Sequence, residues 1–173
     1  MNRTRVKICG ITRVEDACVA ADSGADAIGL VFYPKSSRYV ELSAAHQISR
    51  AVGPSVTVVG LFVNAAAGDV NAAIAAVDLD LLQFHGDEDE AYCAQFQKPY
   101  IKAIRMAPGL DIQDVIEHYP SADGFLFDAW NKDKYGGTGE TFEWQRLSGL
   151  EGVHFILAGG LNPANVEEAV TTV

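Results

Sequence analysis

A chain of 173 residues is long enough for one domain with a sizeable core and too short for two ordinary domains. Its apolar fraction of 49% and charged fraction of 21% are typical of a soluble globular protein and exclude a disordered or fibrous one. The net charge of −10 argues against nucleic acid as the main partner, because neutralising phosphates requires clustered lysines and arginines, but it leaves room for a small anionic substrate.

The cysteine content and the hydropathy pattern indicate where the protein works. No stretch approaches the ~18 apolar residues of a membrane span, and the basic N-terminus leads into a strand too short for a signal peptide. The three cysteines are Cys9, Cys18 and Cys93, an odd number without the spacing of a zinc site. We therefore expect a reduced, cytoplasmic protein without a disulfide framework, with neither nucleic acid nor membrane as a partner.

Short apolar runs alternate with helical patterns along the chain. The runs predict strands at residues 6–9, 27–32, 56–63, 81–85, 100–105, 124–128 and 154–158. The patterns between them predict helices at residues 14–22, 43–51, 68–77, 88–97, 112–117 and 163–170, with a short turn near 142–147. Three local signals mark helix ends: a capping-box spacing at Thr12 and Glu15, a terminating Ser23-Gly24, and a cap followed by proline at Asn162-Pro163.

The βα alternation predicts an α/β fold with parallel strands covered by helices. A doubly wound sheet and a barrel share this pattern, but seven units without a GxGxxG motif after the first strand favour a (β/α)8 barrel of the TIM-barrel type. Because no linker or low-complexity tract interrupts the chain, we expect residues 1–173 to form one domain. A closed barrel has eight strands, so the eighth βα unit is expected to be missing from this chain and to come from a C-terminal segment or another chain.

The first candidate for chemistry is Cys9, since the active sites of such barrels lie at the carboxyl ends of the strands. Cys9 ends the first predicted strand and shares a face with Lys7, toward the barrel interior, while Val6 and Ile8 face the helices. The nearby ammonium of Lys7 would favour the thiolate. The alternative interpretation, which we apply to the other two cysteines, is a small buried hydrophobic residue.

Asp128 ends the sixth predicted strand, where poor hydration of a carboxyl group suits a general acid; a helix cap or a surface turn is the alternative. The sequence YGGTG at residues 135–139, which includes Gly137, is similar to a phosphate cradle but lacks the Walker lysine. A mobile loop or a lid over the site explains it equally well.

Gly159 and Gly160 lie between the seventh predicted strand and a helix start. Glycines there allow close backbone approach, and amides at a helix start bind anions. Because the loops after strands seven and eight form the usual phosphate site of these barrels, we expect both glycines to contribute to phosphate binding. A plain tight connection is the alternative.

Three polar residues complete the candidates. Arg38 lies in the loop after the second strand, where a guanidinium can bind a carboxylate with two hydrogen bonds or simply be solvated. Gln83 and His85 end the fourth strand and share a face. One histidine followed by two acidic residues is poor metal-ligand spacing, so we interpret His85 as a site-lining or structural residue.

Together these segments resemble the phosphoribosylanthranilate isomerases of tryptophan biosynthesis. Each motif is modest alone, but their combination and order along the whole chain are specific. The motifs are KICGIT at 7–12, SGADA at 23–27, YPKSSRY at 33–39, GLFVN at 60–64, LQFHG at 82–86, Asp128 with YGGTG at 135–139, FEW at 142–144 and AGGLNPANV at 158–166.

The resemblance implies an Amadori rearrangement of an aminoribose phosphate that carries anthranilate. Asp128 would act as general acid and Cys9 as general base, with neither a metal nor a cofactor. Arg38 would bind the anthranilate carboxylate, and the loop of Gly159 and Gly160 part of the phosphate. The further expected substrate-binding residues are Lys7, Gln83, His85 and Gly137.

Two alternatives remain open. An isomerase of histidine biosynthesis, or a dual-substrate barrel, performs the same rearrangement, but such enzymes resemble one another in carrying aspartate at the strand-one position, so Cys9 counts against them. The second alternative is a non-catalytic chain that keeps the phosphate loop, or a fragment that needs a partner. In that case Cys9→Ala would have no measurable effect.

Members of the family continue into an eighth strand that supplies the other half of the phosphate site.

Overall fold

Parallel strands alternate with helices in the described part of the chain, residues 3–130 and 141–173 of a computed structural model. Within those ranges no helix has the length and apolarity needed to cross a membrane. The strands are β1 (Lys7–Cys9), β2 (Ala27–Val31), β3 (Thr57–Phe62), β4 (Leu81–Phe84), β5 (Tyr100–Met106), β6 (Gly124–Ala129) and β7 (Phe155–Leu157). The helices are α1 (Val14–Asp22), α2 (Leu42–Ala51), α3 (Ala67–Ala76), α4 (Glu90–Ala94), α5 (Ile112–Glu117) and α6 (Val166–Thr172), with a 3-10 helix at Trp144–Leu147. The predicted α/β class and the βα alternation are confirmed.

The chain divides into two compact units, of which the first is Met1–Tyr100. In this unit β1, β2, β3 and β4 pair in parallel in chain order. β2 and β3 are buried along nearly their whole length, which explains why they are continuous apolar runs rather than alternating ones. The aromatic ring of Phe84 on β4 lies 5.7 to 6.2 Å, centroid to centroid, from the rings of Phe62, Tyr92, Phe96 and Tyr100.

The second unit is Ile101–Val173, in which β5, β6 and β7 pair in parallel. One face of β5 and β6 packs against α5 and the 3-10 helix. The buried side chains of this core are Ile104, Met106, Ile112, Phe125, Phe127 and Leu147. Alternation along the strands therefore sends Arg105 and Asp128 to the opposite face.

The first helix begins where it was predicted but is capped differently. The expected capping box of Thr12 and Glu15 is wrong: Arg13 precedes α1 in extended backbone without a side-chain cap, and its guanidinium pairs with Asp16 at 2.8 Å. The predicted end is confirmed. The amide of Ser23 donates to the carbonyl of Val19, and Gly24 follows with a φ of 88°, which glycine adopts without strain.

Two other helices begin later in the chain than predicted, because a side chain bonds to the backbone just before each helix. The helix predicted from residue 88 begins at Glu90, because the carboxylate of Asp89 caps it by accepting from the amide of Tyr92 at 2.8 Å. The helix predicted from Pro163 begins at Val166. Asn162 Oδ1 accepts from the amide of Ala164 at 2.9 Å, and this Asx turn replaces a first helical turn.

Asp26 ties the N-terminal segment to the beginning of β2. Its carboxylate accepts hydrogen bonds from both terminal nitrogens of Arg3 and, at 2.8 Å, from the backbone amide of Val6. These hydrogen bonds lower the pKa of Asp26 below its ordinary value. The bond from Arg3 has the largest effect, and the bond from the Val6 amide has the next largest. The ionised carboxylate therefore stabilises the folded state at neutral pH.

Asp26→Asn is expected to lower the free energy of unfolding at pH 7. Because the folded-state pKa of Asp26 lies below its unfolded value of about 3.9, the stabilisation is present above that value and is lost as the pH falls through the folded-state pKa. Urea unfolding of both proteins between pH 7 and pH 2 checks this. The difference between them should shrink only below about pH 4, and a difference that stays constant across this range contradicts the assignment. Asp22→Asn, at an exposed carboxylate four residues earlier in the chain, is the matched control.

Candidate active site

Four of the predicted residues share one face of the sheet in the first unit. The register pairs across β1 to β4 place Cys9 and Gln83 on the same face, because paired residues of parallel strands point to the same side. Lys7 lies two residues before Cys9 and His85 two residues after Gln83, so both share that face. The structure thus brings the two predicted pairs, Lys7 with Cys9 and Gln83 with His85, to one face of the sheet.

Cys9 is the last residue of β1, and its thiol lies over Gly29. The two residues are register partners, and a Cβ added to Gly29 would come within 2.7 Å of the Cys9 sulfur. The thiol therefore occupies the volume that any side chain at position 29 would need. Cys9 is half-buried, as is Lys7 on the same face, whereas Ile8 between them is 41% exposed.

The side chain of Arg38 is hydrogen-bonded to the backbone of Cys9. Its Nη1 donates to the carbonyl oxygen of Cys9 at 3.0 Å, and its side chain crosses Gly10 so closely that an added Cβ would lie 2.4 Å from Cδ. Gly10 has a φ of 88°, a conformation that residues with side chains rarely adopt. The loop after β2 thus carries an exposed guanidinium to the carboxyl end of β1, a contact that the sequence did not reveal.

Gln83 and His85 form a buried hydrogen-bonded pair. The amide Nε2 of Gln83 lies 2.8 Å from Nδ1 of His85, and the two residues are 1% and 6% exposed. With the amide as donor, Nδ1 of His85 accepts, so the imidazole proton lies on Nε2. In the described residues the other amide atom, Oε1 of Gln83, is buried without a hydrogen-bond partner.

A carboxylate that sequence reasoning missed fixes the loop after His85. Glu88 is 6% exposed; its two oxygens accept from the amides of Asn64 at 2.7 Å and Gly86 at 2.8 Å. The side chain of Asn64 in turn accepts from the amide of Asp87 at 2.7 Å. This clamp joins the segments that follow β3 and β4. The only local signal for it is the pair of motifs at 60–64 and 82–86.

In the second unit Asp128 is buried at the end of β6. It is 6% exposed, and its Oδ1 accepts from the amide of Ala129 at 2.9 Å. A Cβ on Gly159 would lie 2.9 Å from the same oxygen and 2.5 Å from the Ala129 nitrogen, so Gly159 packs directly against the Asp128 carboxylate. Asp128 and Gly159, predicted separately, are brought together, and the interpretation of Asp128 as a surface turn residue is wrong.

The loop of Gly159 and Gly160 is held by two asparagines. Both glycines have positive φ angles, 83° and 62°. The side-chain amides of Asn162 and Asn165 donate to the carbonyl of Gly160 at 3.1 and 3.0 Å. Since α6 begins only at Val166, the two glycines do not lie at a helix start, and that part of the prediction is corrected.

Two further expectations concern Gly137 and metal ligands. Gly137, with the YGGTG motif, lies outside the residues that the structure describes. Among residues 3–130 and 141–173, no three His, Cys, Asp or Glu side chains are grouped as a metal site requires.

Comparison with known proteins places the chain in a family. A sequence model described as N-(5'phosphoribosyl)anthranilate (PRA) isomerase matches residues 6–173. The chain belongs to the N-(5'-phosphoribosyl)anthranilate isomerase family. It is 52% identical over 173 residues to the Pseudomonas aeruginosa (strain UCBPP-PA14) protein of that name, covering 100% of this chain and 82% of the relative. Family membership makes the chain an isomerase of tryptophan biosynthesis.

Solved structures of the family agree in fold. The enzyme from Thermotoga maritima is 36% identical, with a TM-score of 0.89 over 99% of this chain and 84% of the solved chain. A second phosphoribosyl anthranilate isomerase structure, 35% identical, has a TM-score of 0.85 over 99% of this chain and 83% of the solved chain. It was solved in complex with reduced 1-(o-carboxyphenylamino)-1-deoxyribulose 5-phosphate. The predicted (β/α)8 fold class is confirmed.

Gly29→Ala is expected to lower the isomerase kcat by about 10- to 100-fold, because the new methyl group displaces the Cys9 sulfur from its position. Steady-state kinetics together with a thermal melt separates this effect from loss of folding. Gly68→Ala is the control, since an added Cβ at this position in α3 meets no atom within 4 Å. An unchanged kcat in folded Gly29→Ala contradicts a catalytic role for the thiol in its present position.

Proposed function

We propose that the chain converts N-(5'-phosphoribosyl)anthranilate to 1-(2-carboxyphenylamino)-1-deoxyribulose 5-phosphate, with Asp128 as general acid and Cys9 as general base. The observation that carries the proposal is the family match over residues 6–173, within which Cys9 ends β1 and Asp128 lies at the end of β6. The complex of a relative with the reduced form of this ketose supports the choice of substrate.

Asp128 serves the ring-opening step. Its carboxyl group gives a proton to the furanose ring oxygen while the bond from C1 to that oxygen breaks, and the bond's electron pair stays on the oxygen. The lone pair of the anthranilate nitrogen then forms a C=N bond, so the product is an open-chain iminium. The position of Asp128 supports this role, because its side chain is buried at the end of β6 and accepts a hydrogen bond from the amide of Ala129.

Cys9 serves the proton abstraction. Its thiolate removes the proton from C2, the C2 electrons form a C1=C2 bond, and the iminium nitrogen recovers its lone pair. The resulting enolamine tautomerises to the ketone. Because the nitrogen accepts the electrons, the rearrangement needs neither a metal nor a cofactor. The geometry that supports Cys9 is its place at the carboxyl end of β1, where the half-buried thiol shares a face of the sheet with Lys7.

The remaining candidates bind the substrate. Arg38, whose guanidinium reaches the Cys9 carbonyl, takes the anthranilate carboxylate. The acceptor Oε1 of Gln83 takes a ribose hydroxyl, which would satisfy an oxygen otherwise buried without a partner in the described residues. The other proposed contacts are Lys7, His85 and Gly137, with the backbone of Gly159 and Gly160 on the phosphate.

The setting of the protein also belongs to the proposal. The chain covers 82% of the Pseudomonas aeruginosa protein, so that relative has residues outside the matched region. Three cysteines without a zinc or disulfide pattern fit a cytoplasmic location.

Loss of anthranilate-adduct fluorescence after addition of protein to freshly made phosphoribosylanthranilate tests the activity. The assay is run on the chain as printed and on the chain extended by the unmatched residues of the Pseudomonas aeruginosa relative. A folded, extended protein that leaves the fluorescence unchanged contradicts the proposal. Turnover of the aminoimidazole ribotide of histidine biosynthesis, with none of the anthranilate compound, would favour the sibling isomerase.

Cys9→Ala and Asp128→Asn are each expected to lower kcat by at least about 100-fold, the usual scale of a general acid or base. The measurement is steady-state turnover in whichever of the two forms is active. Cys18→Ala is the control for the thiol, because this half-buried residue of α1 lies away from the strand ends. Full activity in both main variants would remove the mechanism and leave only the family assignment.

Arg38→Ala is expected to raise KM, with a smaller effect on kcat, because its proposed contact with the anthranilate carboxylate exists before and during the reaction. Arg38→Lys should recover only part of the affinity, since an ammonium cannot make the two parallel hydrogen bonds of a guanidinium. A large loss of kcat at unchanged KM is the opposite result and would reassign Arg38 to the chemical steps.

A further inference from the structure

Arg105 lies beside Asp128 in the sheet of the second unit. It is the penultimate residue of β5, Asp128 is the penultimate residue of β6, and the two are register partners. Neighbouring strands lie about 4.8 Å apart, so the two side chains leave the sheet from adjacent positions. No motif or family argument singled out Arg105.

Both side chains point away from the helix-covered core. Ile104 and Met106, which flank Arg105, are buried in the core with Phe127, which precedes Asp128. Alternation sends Arg105 and Asp128 together to the other face. On that face Asp128 is buried and Arg105 is half-buried, so water screens charges at these two positions only in part.

The end of β5 is fixed by a second arginine. Arg146 of the 3-10 helix donates to the carbonyls of Met106 at 3.4 Å, Ala107 at 3.1 Å and Leu110 at 2.9 Å. These bonds hold the backbone immediately after Arg105. The backbone at Arg105 is therefore held by β5 and by these hydrogen bonds, and it is not part of a free loop.

We propose that Arg105 is a positioning residue that acts through Asp128. The guanidinium of Arg105 stabilises the carboxylate that remains when Asp128 has given its proton to the ring oxygen. The proposal rests on the assignment of Asp128 as general acid. During the step a neutral carboxyl becomes an anion, and a fixed cation on the neighbouring strand interacts more strongly with the anion. The interaction is therefore greatest late in the proton transfer, which is the condition for lowering its barrier.

A double-mutant cycle tests this in the active form of the protein. Arg105→Gln is expected to lower kcat by about 10- to 100-fold with little change in KM, the scale of one interaction with a charged group. Arg105→Lys, which keeps the charge, should recover part of that loss. Because Arg105 acts through Asp128, adding Arg105→Gln to Asp128→Asn should cause no further loss.

Arg50→Gln is the matched control, an identical change at an arginine with a side chain 71% exposed. Circular dichroism checks folding, and Arg105→Met replaces Arg105→Gln if the latter does not fold; failure of both would make Arg105 a structural residue and overturn the proposal. It is also overturned by wild-type kcat in Arg105→Gln, by an effect confined to KM, or by multiplicative losses in the double variant. Full activity of Asp128→Asn would instead overturn the general-acid assignment itself.

Discussion

At the ends of β1 and β6, the side chains of Cys9 and Asp128 each pack against a glycine, in space that a Cβ on that glycine would need. The Cys9 sulfur would be 2.7 Å from a Cβ on Gly29, and the Asp128 carboxylate 2.9 Å from one on Gly159. Arg38 crosses Gly10 in the same way. Packed interiors do not absorb displacements of this size without cost. The positions of the Cys9, Asp128 and Arg38 side chains thus depend on the absence of a Cβ at three glycines.

The glycines also explain how polar groups approach the backbone at the strand ends. Asn64 could not bond the amide of Asp87 if Gly86 had a side chain, since a Cβ there would lie 2.4 Å from the Asn64 oxygen. The space allows Glu88 to bridge two neighbouring loops with a buried carboxylate. A buried polar group is tolerated only when it is hydrogen-bonded, and the side-chain oxygens of Glu88 accept from two backbone amides. Strand ends held in this way give His85 a rigid support.

The strands and the strand-end residues could be predicted from the sequence because both depend on local pattern. Cys9 and Asp128 each terminate an apolar run, and the carboxyl end of a strand is where the site residues of such folds lie. The start of α6 could not be predicted, because Asn162 and Pro163 carry cap chemistry that is used instead in an Asx turn. Arg105 was also missed, because its importance comes from its register with β6, which the sequence of β5 does not contain.

The side-chain amide of Gln83 has a hydrogen-bond partner at its nitrogen and, in the described residues, none at its oxygen. A buried acceptor without a partner costs about 1 to 3 kcal/mol, and within residues 3–130 and 141–173 this oxygen has none. Leucine or methionine at this position would fill the volume without that cost. Gln83 shares a face of the sheet with Cys9, and its amide nitrogen is hydrogen-bonded to Nδ1 of His85. This bond sets the orientation of the Gln83 amide and leaves the amide oxygen to accept another hydrogen bond. Under the proposed function, a side chain fixed at one end and without a partner at the other favours a substrate with a hydroxyl group to donate over an analogue that lacks it.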